Sequence, residues 1–241
     1  MFSPVNLDLP ALPARLAGLC GRLWPAHCPV CREPADPGDD LCPACLRDLP
    51  WNRCACPRCG LPLPLPASAC GHCLRHPPPL DETRAVFRYA PPLDRLLPRL
   101  KFHADLAAGR ICADRMAAAL VDAPRPQALV PLPLHRARLR ARGFDQTLEL
   151  ARPLARALDL PLCDDLLVRT RDTAPQSRLD AAARRRNLRG AFAVPTDRLL
   201  PAHVALVDDV MTTGATLHAA AETLRRAGVA RVDAWVCARV A

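Results

Sequence analysis

Short apolar segments alternate with longer segments of mixed polarity over the last two thirds of the chain. Five segments are predicted to be strands: 85–89, 128–130 as a buried strand, 162–168 as a partly apolar one, the continuously apolar 204–207, and 231–240. Four other segments are predicted to be helical: 93–120 with a break around Pro98 and Gly109, 146–158, 179–188 and 215–227. Strands that alternate with helices predict an α/β fold, with a mainly parallel sheet flanked by helices.

The first third of the chain has a different pattern, in which pairs of cysteines recur. Four C-x-x-C turns are present, and the second two repeat the first two at an offset of 28 residues. The first set is Cys28, Cys31, Cys42 and Cys45, and the second set is Cys56, Cys59, Cys70 and Cys73. Four thiolates at this spacing are the ligands of a structural zinc ion, and a module this short has too small a core to fold without one. We therefore predict two zinc ribbons, each binding one structural Zn²⁺.

Disulfides and a cross-braced pairing of the knuckles are the alternatives to this interpretation. Ten of the 13 cysteines lie between Cys20 and Cys73, and this crowding favours metal binding over disulfides. Each repeat supplies four ligands by itself, which disfavours cross-bracing. The predicted domains are a helical lead-in at 1–25, a double zinc ribbon at 26–76 and the α/β domain at 81–241, with a proline-rich break at 76–80.

Positive charge is concentrated in the α/β part of the chain. Of a formal net charge of +9, residues 81–241 contribute most, with 26 basic and 18 acidic residues. Lys101 is the only lysine, so nearly all cations are guanidinium groups, which suit bidentate phosphate contacts. This excess predicts a nucleic acid or a phosphate-bearing small molecule as partner. The zinc-loaded ribbons carry about −3 and make a poor unspecific DNA-binding surface.

No segment of the sequence is suited to cross a bilayer. The longest charge-free stretch, 59–74, is short and contains Gly and Pro. The N-terminal apolar region is interrupted by Asp8, Pro10, Pro13 and Arg15, which is not the pattern of a signal peptide. We therefore expect no membrane span and a cytoplasmic location.

A candidate phosphate site follows the apolar segment 204–207. Asp208 and Asp209 come next, and a short loop then leads into a predicted helix. The loop residues are Thr212, Thr213, Gly214, Ala215 and Thr216. Backbone N–H groups and hydroxyls at the start of a helix bind an anion, whereas the two carboxylates would repel it and suit sugar hydroxyls instead.

These residues resemble the motif with which type I phosphoribosyltransferases bind phosphoribosyl pyrophosphate (PRPP). Over nearly the whole chain, the sequence further resembles the ComF family of competence-associated phosphoribosyltransferase-like proteins, which also carry an N-terminal double zinc ribbon. Three more stretches carry the resemblance: Leu100-Lys101-Phe102, 130–146 and Ala174-Pro175-Gln176. Asp145 is a departure, because asparagine is commoner at this position in the family.

Arginines recur at every second position from Arg136 to Arg142, between two prolines and Gly143. On an extended loop they would share one side, and we predict a loop or irregular turn. The resemblance implies that one or two of them, with Arg136 and Arg138 as the candidates, contact the pyrophosphate of PRPP. Lys101 is a further candidate for a ligand contact, against the alternative of an ordinary surface lysine.

The resemblance implies an enzyme in which a nitrogen nucleophile attacks C1′ of PRPP and pyrophosphate leaves. The loop from Thr212 to Thr216 would bind the 5′-phosphate. Asp208 and Asp209 would hold the ribose hydroxyls and stabilise the developing cation, with Mg²⁺ bridging pyrophosphate and ribose oxygens. The alternatives are an adaptor that binds single-stranded DNA or a helicase-like partner during natural transformation without turnover, and a zinc-ribbon regulator that has inherited the α/β domain.

Overall fold

The computed structural model describes residues 27–35, 39–172, 190–196 and 199–241. The predicted lead-in at 1–25, the predicted helix at 179–188 and the stretch 174–176 lie outside the described residues. The chain divides into two compact units, Met1–Asp48 and Leu49–Ala241. The division falls between the two cysteine sets, so the second set and the proline-rich segment 76–80 belong to the same unit as the sheet.

Each cysteine set has a short helix that contains its last cysteine. Helix α1 (Pro43–Arg47) begins after Cys42, and helix α2 (Gly71–Arg75) begins after Cys70. In α1 the sulfur of Cys42 accepts a hydrogen bond from Cys45 N at 3.4 Å, which caps the first turn. The two helices start at equivalent positions of the 28-residue repeat.

The centre of the larger unit is a sheet of four parallel strands. They are β1 (Thr83–Arg88), β2 (Ala128–Pro131), β5 (His203–Met211) and β6 (Arg231–Arg239), in the spatial order β1-β6-β5-β2. Ala234 of β6 is in register with Leu206 of β5 on one side and with Thr83 of β1 on the other. The parallel sheet flanked by helices is confirmed. Its central strands are almost continuously apolar because both faces are covered.

The described residues of this unit form five further helices: α3 (Leu93–His103), α4 (Leu106–Leu120), α5 (Arg136–Arg142), α6 (Gln146–Leu158) and α7 (Ala215–Ala227). Helix α7 packs Leu217 and Leu224 against the side of the sheet formed by Val204 and Val232. Helices α4 and α6 pack together on the opposite side, where Cys112 of α4 contacts Cys237 of β6. Because the four strands are parallel, their carboxyl ends meet at one edge of the sheet. In open α/β sheets, ligands bind at this edge.

The structure corrects two predictions about this part of the chain. The predicted break around Pro98 and Gly109 was wrong, because both residues lie inside helices. The break falls at Ala104, which has a left-handed φ of 51°, and Asp105 then caps α4 by accepting a hydrogen bond from Ala108 N at 3.0 Å.

The predicted strand at 162–168 was also wrong in extent. Only its last residue is part of a strand, β3 (Val168–Arg169), which pairs antiparallel with β4 (Phe192–Ala193). Leu162 instead forms a single parallel bridge with Leu129 of β2. Among the described helices, none is long and apolar enough to cross a membrane.

Candidate functional site

Two groups of four cysteine side chains come together in the structure. The first is Cys28, Cys31, Cys42 and Cys45, the second is Cys56, Cys59, Cys70 and Cys73, and the sulfurs of each group lie within 4.8 Å of one another. The sulfurs of Cys31 and Cys42 are 3.5 Å apart, and those of Cys59 and Cys70 are 3.7 Å apart. Sulfurs that bind one tetrahedral zinc ion lie about 3.8 Å apart, whereas a disulfide needs about 2.05 Å. Both groups therefore fit a zinc ion, each within its own repeat.

The backbone repeats at the same offset as the cysteines. Arg32 N donates to Cys28 O in the first ribbon, and Gly60 N donates to Cys56 O in the second, both at 2.8 Å. Arg32 and Gly60 both have a left-handed backbone, with φ of 70° and 66°. The two ribbons are thus copies of one structure, and the turn itself accepts either residue.

The surroundings of the second ribbon explain why its turn has a glycine. A Cβ added to Gly60 would lie 2.9 Å from the Cβ of Ala85 in β1. The second ribbon is also bonded to β1 by Thr83 N, which donates to Pro57 O at 2.7 Å. Arg32, at the equivalent position, is exposed. Close packing on the sheet therefore excludes a side chain at position 60.

Each ribbon has one thiol with a lowered pKa and one with a strongly raised pKa. Burial raises the pKa of Cys28, but backbone N–H groups and the neighbouring thiol outweigh burial and lower it to about 7. The pKa of Cys70 is lowered to about 7 against the same opposing effect. Burial and hydrogen bonds with neighbouring thiols raise the pKa of Cys45 and Cys73. A bound divalent cation would favour the thiolate form of all four.

The predicted phosphate loop lies at the carboxyl edge of the sheet, between β5 and α7. Thr212 and Thr213 are exposed, and Gly214 is the N-cap residue of α7 with a φ of 77°. A Cβ on Gly214 would lie 2.4 Å from Met211 Cε and 3.0 Å from His218 Nε2. The backbone can therefore take this turn only with glycine, which leaves the first N–H groups of a 13-residue helix directed at the loop.

Asp208 and Asp209 lie within β5, which continues to Met211. The prediction that the strand ends before the two acids was wrong in this respect. Consecutive residues of a strand ordinarily project to opposite sides, but these two carboxylates are close enough to interact directly, and Asp208 Oδ1 accepts a hydrogen bond from Asp209 N at 2.9 Å. Asp209 is 4% exposed, and its Oδ1 accepts from Val210 N at 2.8 Å. Its Oδ2 lies 3.3 Å from Lys101 Nζ, close enough for an ion pair, but accepts no hydrogen bond from the described residues.

The pKa of Asp208 is raised well above its ordinary value, first by burial and then by the charge of Asp209. Lys101 acts in the opposite direction but does not cancel these effects. The two close carboxylates therefore destabilise each other's charged form. A ligand that brings hydroxyl donors or a cation would stabilise that form.

Asp208→Asn is expected to raise the melting temperature at pH 8 by roughly 2–4 °C, because it removes a partly buried negative charge beside that of Asp209. A raised pKa in the fold means that the native state keeps this proton to a higher pH than the unfolded chain. The wild type thus loses stability relative to the variant as pH rises above about 4, and the two converge below it. Thermal unfolding of both proteins between pH 4 and 8 measures this difference.

Asp105→Asn is the matched control, with the opposite sign. Burial raises the pKa of Asp105, but the hydrogen bond from Ala108 N and the charge of Arg99 outweigh it, so the net shift is downward. The Asp105 variant should therefore be less stable than wild type at neutral pH, with a deficit that shrinks as pH falls through the lowered pKa. An Asp208 variant that behaves like the Asp105 variant would contradict the raised pKa of Asp208.

Two arginines, Arg138 and Arg169, lie close enough to Asp172 for its charge to act on both. Arg138 of α5 forms an ion pair with Asp172, with 3.3 Å between Nε and Oδ1. Burial lowers the pKa of Arg169, as does the charge of Arg138, while the charges of Asp172 and Asp208 raise it. The Arg169 guanidinium also lies over the ring of Phe192, 5.5 Å from its centroid. Arg169 thus lies within electrostatic range of both Arg138 and Asp208.

The prediction of a loop at 136–142 was wrong, because these residues form helix α5. His135 caps its start by accepting a hydrogen bond from Ala137 N at 3.3 Å, and Gly143 ends it with a φ of 85°. Arginines at every second position of a helix point in different directions. The structure accordingly pairs Arg138 with Asp172 and leaves Arg136 exposed.

Asp145 has a structural role at this edge. Its Oδ1 accepts hydrogen bonds from Thr147 N and Leu148 N, which caps α6, and its Oδ2 accepts from Leu134 N at 3.0 Å. The carboxylate therefore joins the segment after β2 to the start of α6. It is engaged by backbone donors, which explains how an acid is tolerated near a predicted pyrophosphate site.

Two residues beneath the loop were not predicted from the sequence. Burial lowers the pKa of His218 to about 4, together with the charges of Arg239 and His72. Arg239, the last residue of β6, is 9% exposed and donates from Nε to Cys59 O at 3.0 Å and from Nη1 to Met211 O at 3.3 Å. Neither residue belongs to a motif, and an arginine at a strand end gives no sequence signal for such contacts. Arg169 was missed for the same reason.

Comparison with known proteins gives two domain matches. The double zinc ribbon domain matches residues 19–74, and the phosphoribosyl transferase domain matches residues 145–240. A solved glutamine PRPP amidotransferase from B. subtilis is 20% identical over 54% of this chain and 26% of its own, with a TM-score of 0.37.

Two curated relatives are much more similar in sequence. Competence protein F of Haemophilus influenzae is 37% identical over 70% of this chain and 77% of its own length. DNA utilization protein YhgH of Escherichia coli strain K12 is 36% identical over 89% of this chain and 97% of its own length.

Proposed function

Because the chain belongs to the ComF family, with competence protein F and DNA utilization protein YhgH among its relatives, we propose that it binds PRPP with Mg²⁺ and acts on the phosphoribosyl group. The observation that carries this proposal is the arrangement at the end of β5. Two acids at the end of the strand, one partly and one fully buried, are followed within five residues by a loop closed by Gly214 and the start of α7. A sugar phosphate would use both parts, because its hydroxyls can bind the acids and its phosphate can bind the loop.

The loop supports binding of the 5′-phosphate. The residues assigned to it are Thr212, Thr213, Gly214, Ala215 and Thr216. The N–H groups of the first turn of α7 have no partner within the helix, and the helix dipole adds partial positive charge at the same point. Ala215 N donates a hydrogen bond to Thr213 Oγ1 at 3.4 Å, so one threonine hydroxyl lies beside the first N–H group of α7. Size and charge both suit a phosphate group.

The acid pair supports binding of the ribose hydroxyls. Asp209 Oδ2 is buried and accepts no hydrogen bond from the described residues, so it can accept one from a ligand. Carboxylate oxygens are also the protein ligands that Mg²⁺ prefers, and Asp208 and Asp209 would hold it directly or through water. The ion would supply charge neutralisation for the leaving pyrophosphate. Lys101 already screens Asp209, and Arg138 is the α5 arginine best placed for the pyrophosphate.

The carboxylates would also act in the reaction. Positive charge develops on the ribose ring as the bond from C1′ to pyrophosphate breaks, and fixed negative charge close by stabilises that state more than the ground state. Asp208 and Asp209 would thus be catalytic residues that contact the substrate.

The double variant Asp208→Asn/Asp209→Asn is expected to bind PRPP at least tenfold more weakly, as measured by calorimetry with Mg²⁺. If the protein is an enzyme, pyrophosphate release with a panel of nucleobases should fall by a further factor of about 100. Glu82→Gln is the control, since this acid pairs with Arg84 and Arg231 at the opposite end of the sheet. Unchanged PRPP affinity in the double variant would show that the acids do not bind the ribose.

The names of the relatives favour a second candidate function, an adaptor in DNA uptake that binds single-stranded DNA or a helicase-like partner without turnover. In that case no nucleobase releases pyrophosphate, yet the acid-pair variant impairs DNA uptake in cells.

Direct DNA binding would use the exposed arginines of α5. Arg136→Ala/Arg140→Ala should reduce the slope of log affinity against log salt concentration by about 1.4 for single-stranded DNA, since two phosphate contacts are lost. Arg47→Ala/Arg53→Ala is the control, because these two arginines are also exposed but lie in the ribbon region. An equal effect of both double variants would place the DNA elsewhere than on α5.

A further inference from the structure

Arg239 joins the second zinc ribbon to the base of the phosphate loop. Its Nε donates to the carbonyl oxygen of Cys59, a cysteine of the second cluster, at 3.0 Å. Its Nη1 donates to the carbonyl oxygen of Met211, the last residue of β5, at 3.3 Å. Met211 O also accepts from Val240 N at 3.0 Å. One buried guanidinium thus fixes two backbone segments that are far apart in the sequence.

The second ribbon is held against the same unit at other points. Asn52 Nδ2 donates to Gly60 O at 2.8 Å and to Ala85 O at 3.2 Å, and Arg58 Nη1 donates to Asp81 O at 2.7 Å. These bonds attach the ribbon to β1 and to the residues before it. The bond from Arg239 is different, because it reaches the carboxyl edge of the sheet, where the loop begins.

His218 provides a second set of contacts between the loop and the ribbon, next to those of Arg239. His218 lies under the loop, 3.0 Å from the point where a Gly214 Cβ would be. It is close enough to both Arg239 and His72 for their charges to act on it, and His72 lies in α2 between two cysteines of the cluster. The floor of the loop is therefore built from Met211, His218 and Arg239, with the ribbon directly behind.

We infer that the second zinc ribbon positions the phosphate loop, and that Arg239 is the positioning residue through which zinc occupancy and PRPP binding are coupled. This rests on the proposed binding of PRPP. Zinc fixes the turn that carries Cys59. The carbonyl oxygen of Cys59 accepts a hydrogen bond from Arg239, and Arg239 also donates to the carbonyl oxygen of Met211, the residue directly before the loop. Without zinc the guanidinium loses one of its fixed acceptors, and the loop loses the support that pre-forms it for phosphate.

The coupling predicts an effect in both directions, because linkage between two binding sites is reciprocal. Arg239→Met should weaken PRPP binding about tenfold in the zinc-loaded full chain. Arg239→Lys keeps the charge but cannot reach two carbonyls with a planar fork, so it should weaken binding to an intermediate degree. Arg225→Met is the control, since Arg225 is also a partly buried arginine that donates to backbone carbonyls, those of Pro79 at 2.7 Å and Ala230 at 3.3 Å, besides its ion pair with Asp81, and among the described residues none of these partners belongs to the loop.

The reverse direction is measured by the release of zinc to a zinc-selective chelator. A Cys28→Ser chain keeps only the zinc of the second ribbon, and saturating PRPP with Mg²⁺ should slow release of that zinc at least fivefold. A Cys56→Ser chain keeps only the zinc of the first ribbon, and PRPP should not change its release. Arg239→Met in the Cys28→Ser chain should abolish the protection.

The outcomes separate this inference from the proposed function. If the wild type binds PRPP but zinc release from the second ribbon is unchanged, the coupling is refuted and PRPP binding stands. The same conclusion follows if Arg239→Met and Arg225→Met bind PRPP equally well. If the wild type does not bind PRPP, the proposed function and the coupling fail together. Should Arg239→Met not fold, the chelator experiment on the Cys28→Ser chain decides the question alone.

Discussion

Gly214→Ala is expected to reduce PRPP affinity by at least tenfold while the protein remains folded. The added Cβ would lie 2.4 Å from Met211 Cε and 3.0 Å from His218 Nε2, and Met211 is buried. The turn also has a φ of 77°, which costs a residue with a side chain about 1–2 kcal/mol. The chain can relieve the contact only by moving the loop, so the N–H groups of the first turn of α7 no longer converge on one phosphate. Calorimetric titration with PRPP and Mg²⁺ measures the loss, and Gly214→Val should lose more.

Gly228→Ala provides a control on the same helix. Gly228 ends α7 with a φ of 112°, and a Cβ there would meet nothing within 4 Å. This variant carries a comparable backbone strain without crowding and lies at the far end of the helix from the loop. We expect it to lower stability and to leave PRPP affinity unchanged. Equal affinities for the two alanine variants would mean that the loop does not bind the phosphate.

Cys56→Ser is expected to remove one of two zinc ions and to lower the melting temperature of the main transition by roughly 5–10 °C. The second ribbon belongs to the unit Leu49–Ala241 and is bonded to β1 and β6, so its unfolding removes support from the sheet. Elemental analysis and calorimetric unfolding of protein made in zinc-replete medium measure the two effects.

The 28-residue repeat supplies the matched variant. Cys28 occupies the position in the first ribbon that Cys56 occupies in the second, and the first ribbon lies in the unit Met1–Asp48. Cys28→Ser should also remove one zinc ion but leave the main transition close to that of wild type. A wild-type protein without zinc would refute both ribbons, and equal destabilisation by the two serine variants would contradict the different roles of the two copies.

The parts of this structure that the sequence predicts well are those set by local chemistry. Ligand number and spacing determine a four-cysteine cluster almost completely, so the period of 28 residues was sufficient for both ribbons. The continuous apolar run of β5 and the strong helical pattern of α6 were similarly informative, because burial on a sheet leaves a direct record in the sequence.

The errors arose where two local signals compete. Alternating arginines at 136–142 suggested an extended loop, but His135 and Gly143 are suited to begin and end a short helix, and the capping signals determined the structure. At 162–168 an apolar segment packs into the core without forming a strand over most of its length. Leu166 and Leu167 are buried there, and burial alone does not specify a strand.

The contacts of Arg169 and Arg239 are beyond what the sequence can predict. Arg239 meets Cys59 across 180 positions of the chain, and the bond exists only because β6 ends beside the second ribbon. No sequence pattern near either arginine predicts its contacts. Side chains that link distant segments become visible only when the topology is known.

The two ribbons are not interchangeable modules, although their cysteines and their left-handed turn residues repeat at the same offset of 28 positions. Transplanting residues 28–45 into positions 56–73 would bring Arg32 to the place of Gly60, where the first carbon of the side chain already meets Ala85 at 2.9 Å. The opposite graft would bring glycine into an exposed turn and should be tolerated. Exchange between such duplicated ribbons therefore has a direction, since the first ribbon can accept the sequence of the second but cannot replace it.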